Sequence, residues 1–164
     1  MASLLLAADV LSAQNAELGV VSSPAKAGIS ARFTGDSGNI SEVRLYAEVC
    51  DIIRGKYSWP GIRADWHLLF PVATFSGSST TEISFNAGPG VTAGYVRDRK
   101  EEAGVIAGLS GMASLDFRFN VPVTLSLSLS AVCGFHLKSG TTMRFYRNGI
   151  YRAWIPALTI KYNF

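Results

Sequence analysis

Val123-Thr-Leu-Ser-Leu-Ser-Leu-Ser-Ala-Val-Cys-Gly-Phe-His-Leu137 alternates almost without error. Val123, Leu125, Leu127, Leu129, Ala131, Cys133, Phe135 and Leu137 share one face, and Thr124, Ser126, Ser128, Ser130, Val132, Gly134 and His136 share the other. A period of two sustained this long predicts a β-strand with one apolar face. Globular strands average roughly 5–6 residues, whereas a tilted strand that crosses a bilayer needs about 9–11. The stretch therefore predicts a membrane-spanning strand, and the rest of the chain is read from it.

Turn chemistry divides the remaining sequence. Gly35-Asp-Ser-Gly-Asn39, Ser76-Gly-Ser-Ser-Thr80 and Asn120-Val-Pro122 are compact polar or proline-containing connections. Richer segments, Gly55-Lys-Tyr-Ser-Trp-Pro-Gly61, Arg97-Asp-Arg-Lys-Glu-Glu102 and the stretch from Lys138 to Gly149, fall between them. Short and long connections alternate, as they do in outer-membrane barrels. With Ser22-Ser-Pro-Ala25 as the first outer loop, the strands fall at 14–21, 26–34, 40–54, 60–75, 81–96, 103–119, 123–137 and 149–164. The expected fold is all-β: an eight-stranded antiparallel up-and-down transmembrane β-barrel over residues 14–164, with both ends of the chain on the periplasmic side. Pro71, Pro89 and Pro156 fall inside these strands. A closed barrel has no free edge for proline, so a bulge is expected at each.

Composition agrees. Charged residues make up 16% of the 164-residue chain, below the ordinary ~25%. Mean hydropathy is +0.23, intermediate because only every second barrel residue faces lipid. No run of about 18 apolar residues exists to form a helical span. A net charge of +3 is too small and scattered for nucleic-acid binding. Ser3-Leu-Leu-Leu-Ala-Ala-Asp-Val-Leu11 resembles a short signal-peptide core, so residues 1–13 are expected to be the remnant of a secretion signal. An N-terminal helix or disordered leader is the alternative. Cys50 and Cys133 fall on opposite faces of their strands, which argues against a disulfide.

Face assignment gives the candidate site. The charged face carries Glu42, Arg44, Glu48, Arg63, Asp65, His67, Asp116 and Arg118, while the matching faces of the fifth and seventh strands are nearly all Gly, Ser, Thr and Asn. Eight strands enclose a lumen only wide enough to be filled by side chains. Small residues on one wall leave room for ionic side chains from the other. Charge is therefore expected inside, as one paired network plugging the lumen, with Leu, Val and Phe outside. A selectivity filter in a narrow pore is the alternative reading of the same charges. Tyr57, Trp59, Tyr95, Tyr151 and Trp154 lie near one rim, and Phe33, Phe75, Phe119, Tyr162 and Phe164 near the other, as two interface girdles. Tyr57, Trp59, Arg144, Phe145, Tyr146 and Arg147 are candidate loop contacts, the basic ones suited to lipopolysaccharide phosphates.

Asn86-Ala-Gly-Pro-Gly-Val-Thr-Ala-Gly-Tyr95, Val123 to Leu137, and Ile155-Pro-Ala-Leu-Thr-Ile-Lys-Tyr-Asn-Phe164 together resemble the small outer-membrane barrels of the OmpA/OmpX type. They are also similar to uncharacterised barrels of Bacteroides-like bacteria. The resemblance implies the outer membrane of a Gram-negative bacterium, contact with its lipid and lipopolysaccharide, and a monomer. It also implies that Tyr162 and Phe164 are an assembly signal read by the barrel assembly machinery.

That group includes scaffolds, adhesins and lipid enzymes, so three function classes stand: a non-enzymatic structural or loop-interacting protein, an outer-leaflet lipid-modifying enzyme, and a lipocalin-like carrier. The non-enzymatic class is expected, with no cofactor. His136-Leu-Lys-Ser139 departs from the His-x-Ser spacing of outer-membrane lipid A deacylases, and His136 faces inward by parity. No His, Cys, Asp and Glu residues show zinc-ligand spacing.

Overall fold

A computed structural model describes residues 15–48, 61–78, 81–97, 103–138 and 143–164. The strands are β1 (Asn15–Ser23), β2 (Lys26–Thr34), β3 (Ile40–Glu48), β4 (Ile62–Ser78), β5 (Thr81–Arg97), β6 (Ala103–Phe119), β7 (Val123–Lys138), β8 (Met143–Phe145) and β9 (Ala157–Asn163). One four-residue helix, α1 (Asn148–Tyr151), separates β8 from β9. Consecutive strands from β1 to β7 pair antiparallel, and β9 closes the sheet by pairing with both β1 and β7. The result is a closed antiparallel barrel of eight wall strands, with β8 appended to the far end of β7.

The register fixes its width. Stepping between partners from Leu127 through Leu158, Ser22, Ala27, Ala47, Ile62, Tyr95 and Val105 returns to β7 at Leu137, ten residues further on. Such a stagger demands strands tilted at roughly 35–45° and, with eight strands, an interior filled by side chains. Because ten is even, alternation survives a full circuit and the faces never exchange.

The inward and outward sets follow the sequence pattern. Val20, Val72 and Leu109 are 64%, 62% and 70% exposed, and Ile29, Leu45, Phe75, Val91, Leu127, Phe135 and Ile160 are also exposed. Arg32, Glu42, Asp116, Ser126 and Thr159 are fully buried. Cys133 is an exposed free thiol on the outer face. Cys50 lies outside the described residues.

Turn chemistry sets the ends. At the end that holds Asn15 and Phe164, Gly38 adopts φ 79°, a left-handed conformation that glycine takes without steric cost. Its N–H donates to the Gly35 carbonyl at 2.9 Å. At the opposite end, the loop end, β1 and β2 join through Pro24 and Ala25 alone. The Ser23 hydroxyl organises that turn, accepting from the Ala25 and Lys26 N–H groups at 3.3 and 3.1 Å.

The eighth wall strand, expected to run unbroken over 149–164, is instead interrupted: only Ala157–Asn163 of that stretch is strand. Between the pairs Ser128↔Ala157 and Phe135↔Phe145, seven steps along β7 face twelve along the returning chain. The excess of five residues is taken up where the chain leaves the wall as α1 and the segment to Pro156, which turns inward at Asn148 and Gly149. Asn148 and Gly149 are buried, while Ile150, Tyr151 and Trp154 face outward, Trp154 at 82% exposure. A Cβ on Gly149 would come within 2.3 Å of the Val132 carbonyl oxygen, so a residue without a side chain is needed where the helix meets β7.

The three prolines behave differently. A register shift does follow Pro71. Pro89 keeps its register on both sides, and the β4–β5 ladder merely omits the pairs beside it. There, a Cβ on Gly88 would meet the Leu68 carbonyl oxygen at 1.9 Å, so the close backbone approach depends on glycine and no bulge forms. Pro156 lies in the inward segment, ahead of β9, and not within a strand.

Candidate functional site: the charged lumen

Arg32 is the hub of the half nearer the chain ends. Its guanidinium donates through Nε to Glu42 at 2.7 Å and through Nη1 to Asp116 at 2.6 Å. Glu42 also accepts from Arg44 Nε at 2.6 Å and Lys161 Nζ at 3.2 Å. Glu17 adds a looser ion pair to Arg32 at 3.7 Å. The acids Glu17, Glu42 and Asp116 thus face the bases Arg32, Arg44 and Lys161, and all six are buried. Opposite charges in equal number are the condition under which ions can be removed from water at tolerable cost.

Small residues on the facing strands do more than leave space. Asp116 accepts from the Asn86 amide at 2.7 Å and from the Ser126 hydroxyl. Arg44 Nη1 donates to Ser128 Oγ at 2.8 Å. Thr92 Oγ1 donates to Asp65 at 2.5 Å. The Ser and Thr face of β5 and β7 is therefore the hydrogen-bonding complement of the ionic face, and it satisfies lone pairs that the ions leave over.

The half toward the loop end is built differently. Arg63 Nη2 donates to Asp65 at 2.7 Å. Tyr46 lies between the two halves, accepting from Arg44 Nη1 at 3.3 Å. Its ring carries two cations, with Lys26 Nζ 4.4 Å and the Arg63 guanidinium carbon 5.2 Å from the centroid. Glu48 pairs with Arg152 of the inward segment at 3.0 Å and accepts from the Tyr146 hydroxyl at 3.5 Å. Val96, Ile106, Val132 and Tyr146 form an apolar cluster near the loop end, and the Asn148 amide ties α1 to the Arg97 carbonyl at 3.2 Å.

The expected site residues therefore do not form one unit. Glu42, Arg44 and Asp116 belong to the dense cluster. Arg63 and Asp65 are a separate pair, and Glu48 sits at the loop end. Arg118 is 35% exposed and, among the described residues, forms an ion pair only with Glu17, at 3.8 Å, because β6 ends one residue later. His67 is buried with Nε2 3.1 Å from Ser110 Oγ. His136 is buried with Nε2 3.1 Å from the Val96 carbonyl oxygen, and Ser139 lies outside the described residues. Arg32, Lys161 and Glu17 were missed by the sequence reading. Each is a charge with a small or apolar neighbour on both sides in its strand (Ala31 and Phe33, Ile160 and Tyr162, Ala16 and Leu18), which is the signal that could have found them.

Of the interface aromatics, Tyr95, Tyr151 and Trp154 are exposed toward the loop end, and Phe75, Phe119, Tyr162 and Phe164 are exposed toward the other. Tyr162 and Phe164 pack edge to face with centroids 5.1 Å apart. Tyr57 and Trp59 lie outside the described residues. Among the described residues, no group of three or more His, Cys, Asp or Glu side chains is placed to hold a metal ion. No known protein family, curated protein or solved structure matches this chain.

Proposed function

We propose that this chain is a non-enzymatic β-barrel protein of a bacterial outer membrane, with a plugged, ion-paired lumen, and that it acts as a structural element or through its loops. The observation that carries this reading is the inversion of the two faces. Leu, Val, Ile and Phe cover the outside, while fully buried Arg, Lys, Glu and Asp fill the inside. In water this arrangement would expose a continuous apolar belt around the whole barrel, far beyond the few hundred Å² that soluble monomers tolerate. In a bilayer the same belt meets lipid, and the exposed aromatics at both ends sit at headgroup level.

The resemblance to barrels of the OmpA/OmpX type supports the same placement. On this reading the partners are outer-membrane lipid and lipopolysaccharide, the protein is a monomer, and Tyr162-Asn163-Phe164 is the segment engaged by the barrel assembly machinery. The buried positions of His67 and His136, each against a neutral oxygen, support a structural role for both and not an acid–base one.

Two measurements test the proposal. In detergent the unboiled protein is expected to migrate as a compact band in SDS and to shift on boiling. In planar bilayers it is expected to give no steady conductance. A chain that stays soluble and monodisperse without detergent overturns the membrane placement. Stable, ion-selective conductance that changes on neutralising Arg63 overturns the plugged lumen.

A further inference from the structure

The two halves of the lumen differ in charge balance. In the dense half, three acids face three bases. Toward the loop end, Lys26, Arg63 and Arg152 line a cavity of about 20 Å³, together with Ser130, Asn148 and Glu48. Glu48 is already held by Arg152, and Asp65 by Arg63 and Thr92. Lys26 has only the Ser130 hydroxyl at 3.4 Å and the face of Tyr46. Among the described residues, no carboxylate lies within ion-pair distance of its Nζ.

Two further features concern residues that line the same space. Arg63 is buried, and its Nε has no hydrogen-bond partner among the described residues. Lys26 and Arg63 share one aromatic ring, which holds two like charges close together although each repels the other. Two cations beside a small, partly open space, with one donor unspent and, among the described residues, one positive charge over, are the chemistry that receives an anion.

The size limits which anion. A space of about 20 Å³ for the centre of a water-sized body takes one such body, since a single water needs roughly 10–15 Å³ on this measure. Sulfate, phosphate and lipid headgroups are too large. We propose that a small monovalent anion of halide size binds between Lys26, Arg63 and the α1 segment. There it neutralises the surplus cation and ties the inward segment, through Asn148 and Arg152, to the barrel wall. The proposal does not depend on the membrane placement, because the cavity lies inside the barrel in either case.

The test uses the full chain folded in detergent micelles. Its thermal unfolding midpoint is measured at one ionic strength in sodium chloride, bromide, gluconate and sulfate. Chloride and bromide are expected to raise the midpoint saturably over gluconate and sulfate. The substitution Lys26→Gln is expected to abolish that difference while leaving the barrel folded. Crystals grown in bromide are expected to show anomalous scattering beside Lys26 Nζ and Arg63 Nε. Equal midpoints in all four salts overturn the proposal, whether a water fills the cavity or Lys26 sits there uncharged. A halide effect that survives Lys26→Gln overturns it as well. If that variant fails to fold, the bromide position in the native chain decides alone, and its absence from the cavity is a negative answer.

Discussion

The two halves of the lumen solve one problem in different ways. Around Arg32, Glu42, Asp116 and Lys161, every ion has a counter-ion within about hydrogen-bond reach and the side chains are wholly enclosed. Toward the loop end, Arg63–Asp65 and Glu48–Arg152 are isolated pairs, Lys26 has no carboxylate within ion-pair distance among the described residues, and a cavity remains. The difference comes from the walls. Near the chain ends, β5 and β7 offer Asn86, Ser126 and Ser128 as complementary donors and acceptors. Near the loop end, the wall strands offer Val96, Ile106 and Val132, and an inward segment closes the space. A densely paired network resists change, even though Arg44 Nη2 and Glu17 Oε2 have no hydrogen-bond partner among the described residues. A sparsely paired region with a charge over is where a ligand can be accommodated.

The comparison is broken or sharpened by substitutions of graded effect. Asp116→Ala should be the most damaging, because it removes one of the two close counter-ions of Arg32, leaves the buried bases of this half in excess, and takes away the partner of Asn86 and Ser126. A loss of about 3–5 kcal/mol is expected, read as the shift in urea unfolding in micelles. Arg63→Ala should cost less, roughly 1–3 kcal/mol, because Asp65 keeps the Thr92 hydroxyl and the cavity admits water. If the two losses are equal, the halves are not energetically distinct. Leu127→Ala should cost still less, about 1 kcal/mol, since lipid or detergent fills the gap that a protein core would leave empty. A loss larger than that of Arg63→Ala would place Leu127 in a packed interior. Arg152→Ala is expected to be the mildest, about 0–1 kcal/mol, as its pair with Glu48 is partly solvated. It should also loosen the inward segment, seen as faster hydrogen exchange at Asn148 to Ala153 than in the unaltered chain.

How much of this was legible in the sequence depends on the strand. β5 and β7 alternate cleanly, so their faces, and the small-residue character of the inner one, could be assigned from parity alone. Arg32, Lys161 and Glu17 were harder, because each is a single charge in an otherwise small or apolar stretch. Parity marks the face of such a residue but not its partners: Arg32 lies directly cross-strand from Glu17 and Glu42 on the neighbouring strands, whereas Asp116 reaches Arg32, and Glu42 reaches Lys161, from strands distant in the chain. The alternation of Ala157 to Asn163 reads correctly as β9, but the expected strand extends it back to Gly149, across the segment that turns inward. Pro156 and Asn148-Gly149 were the contrary signals, since proline inside a closed barrel strand has no free edge to occupy. The separation of the charges into two groups depends on the ten-residue stagger, which is a property of the whole circuit and of no single strand.

The central claim is that the apolar face looks outward into lipid and the charges look inward. Cys133 is the built-in probe, since its thiol is exposed on the outer face of β7. A nitroxide is attached to it in a Cys50→Ser background after reconstitution in lipid vesicles, and its collision rates with two relaxation agents are compared. Frequent collision with oxygen, which concentrates in the bilayer, and rare collision with a water-soluble nickel chelate is the result this account predicts. Frequent collision with the nickel chelate and rare collision with oxygen would contradict it.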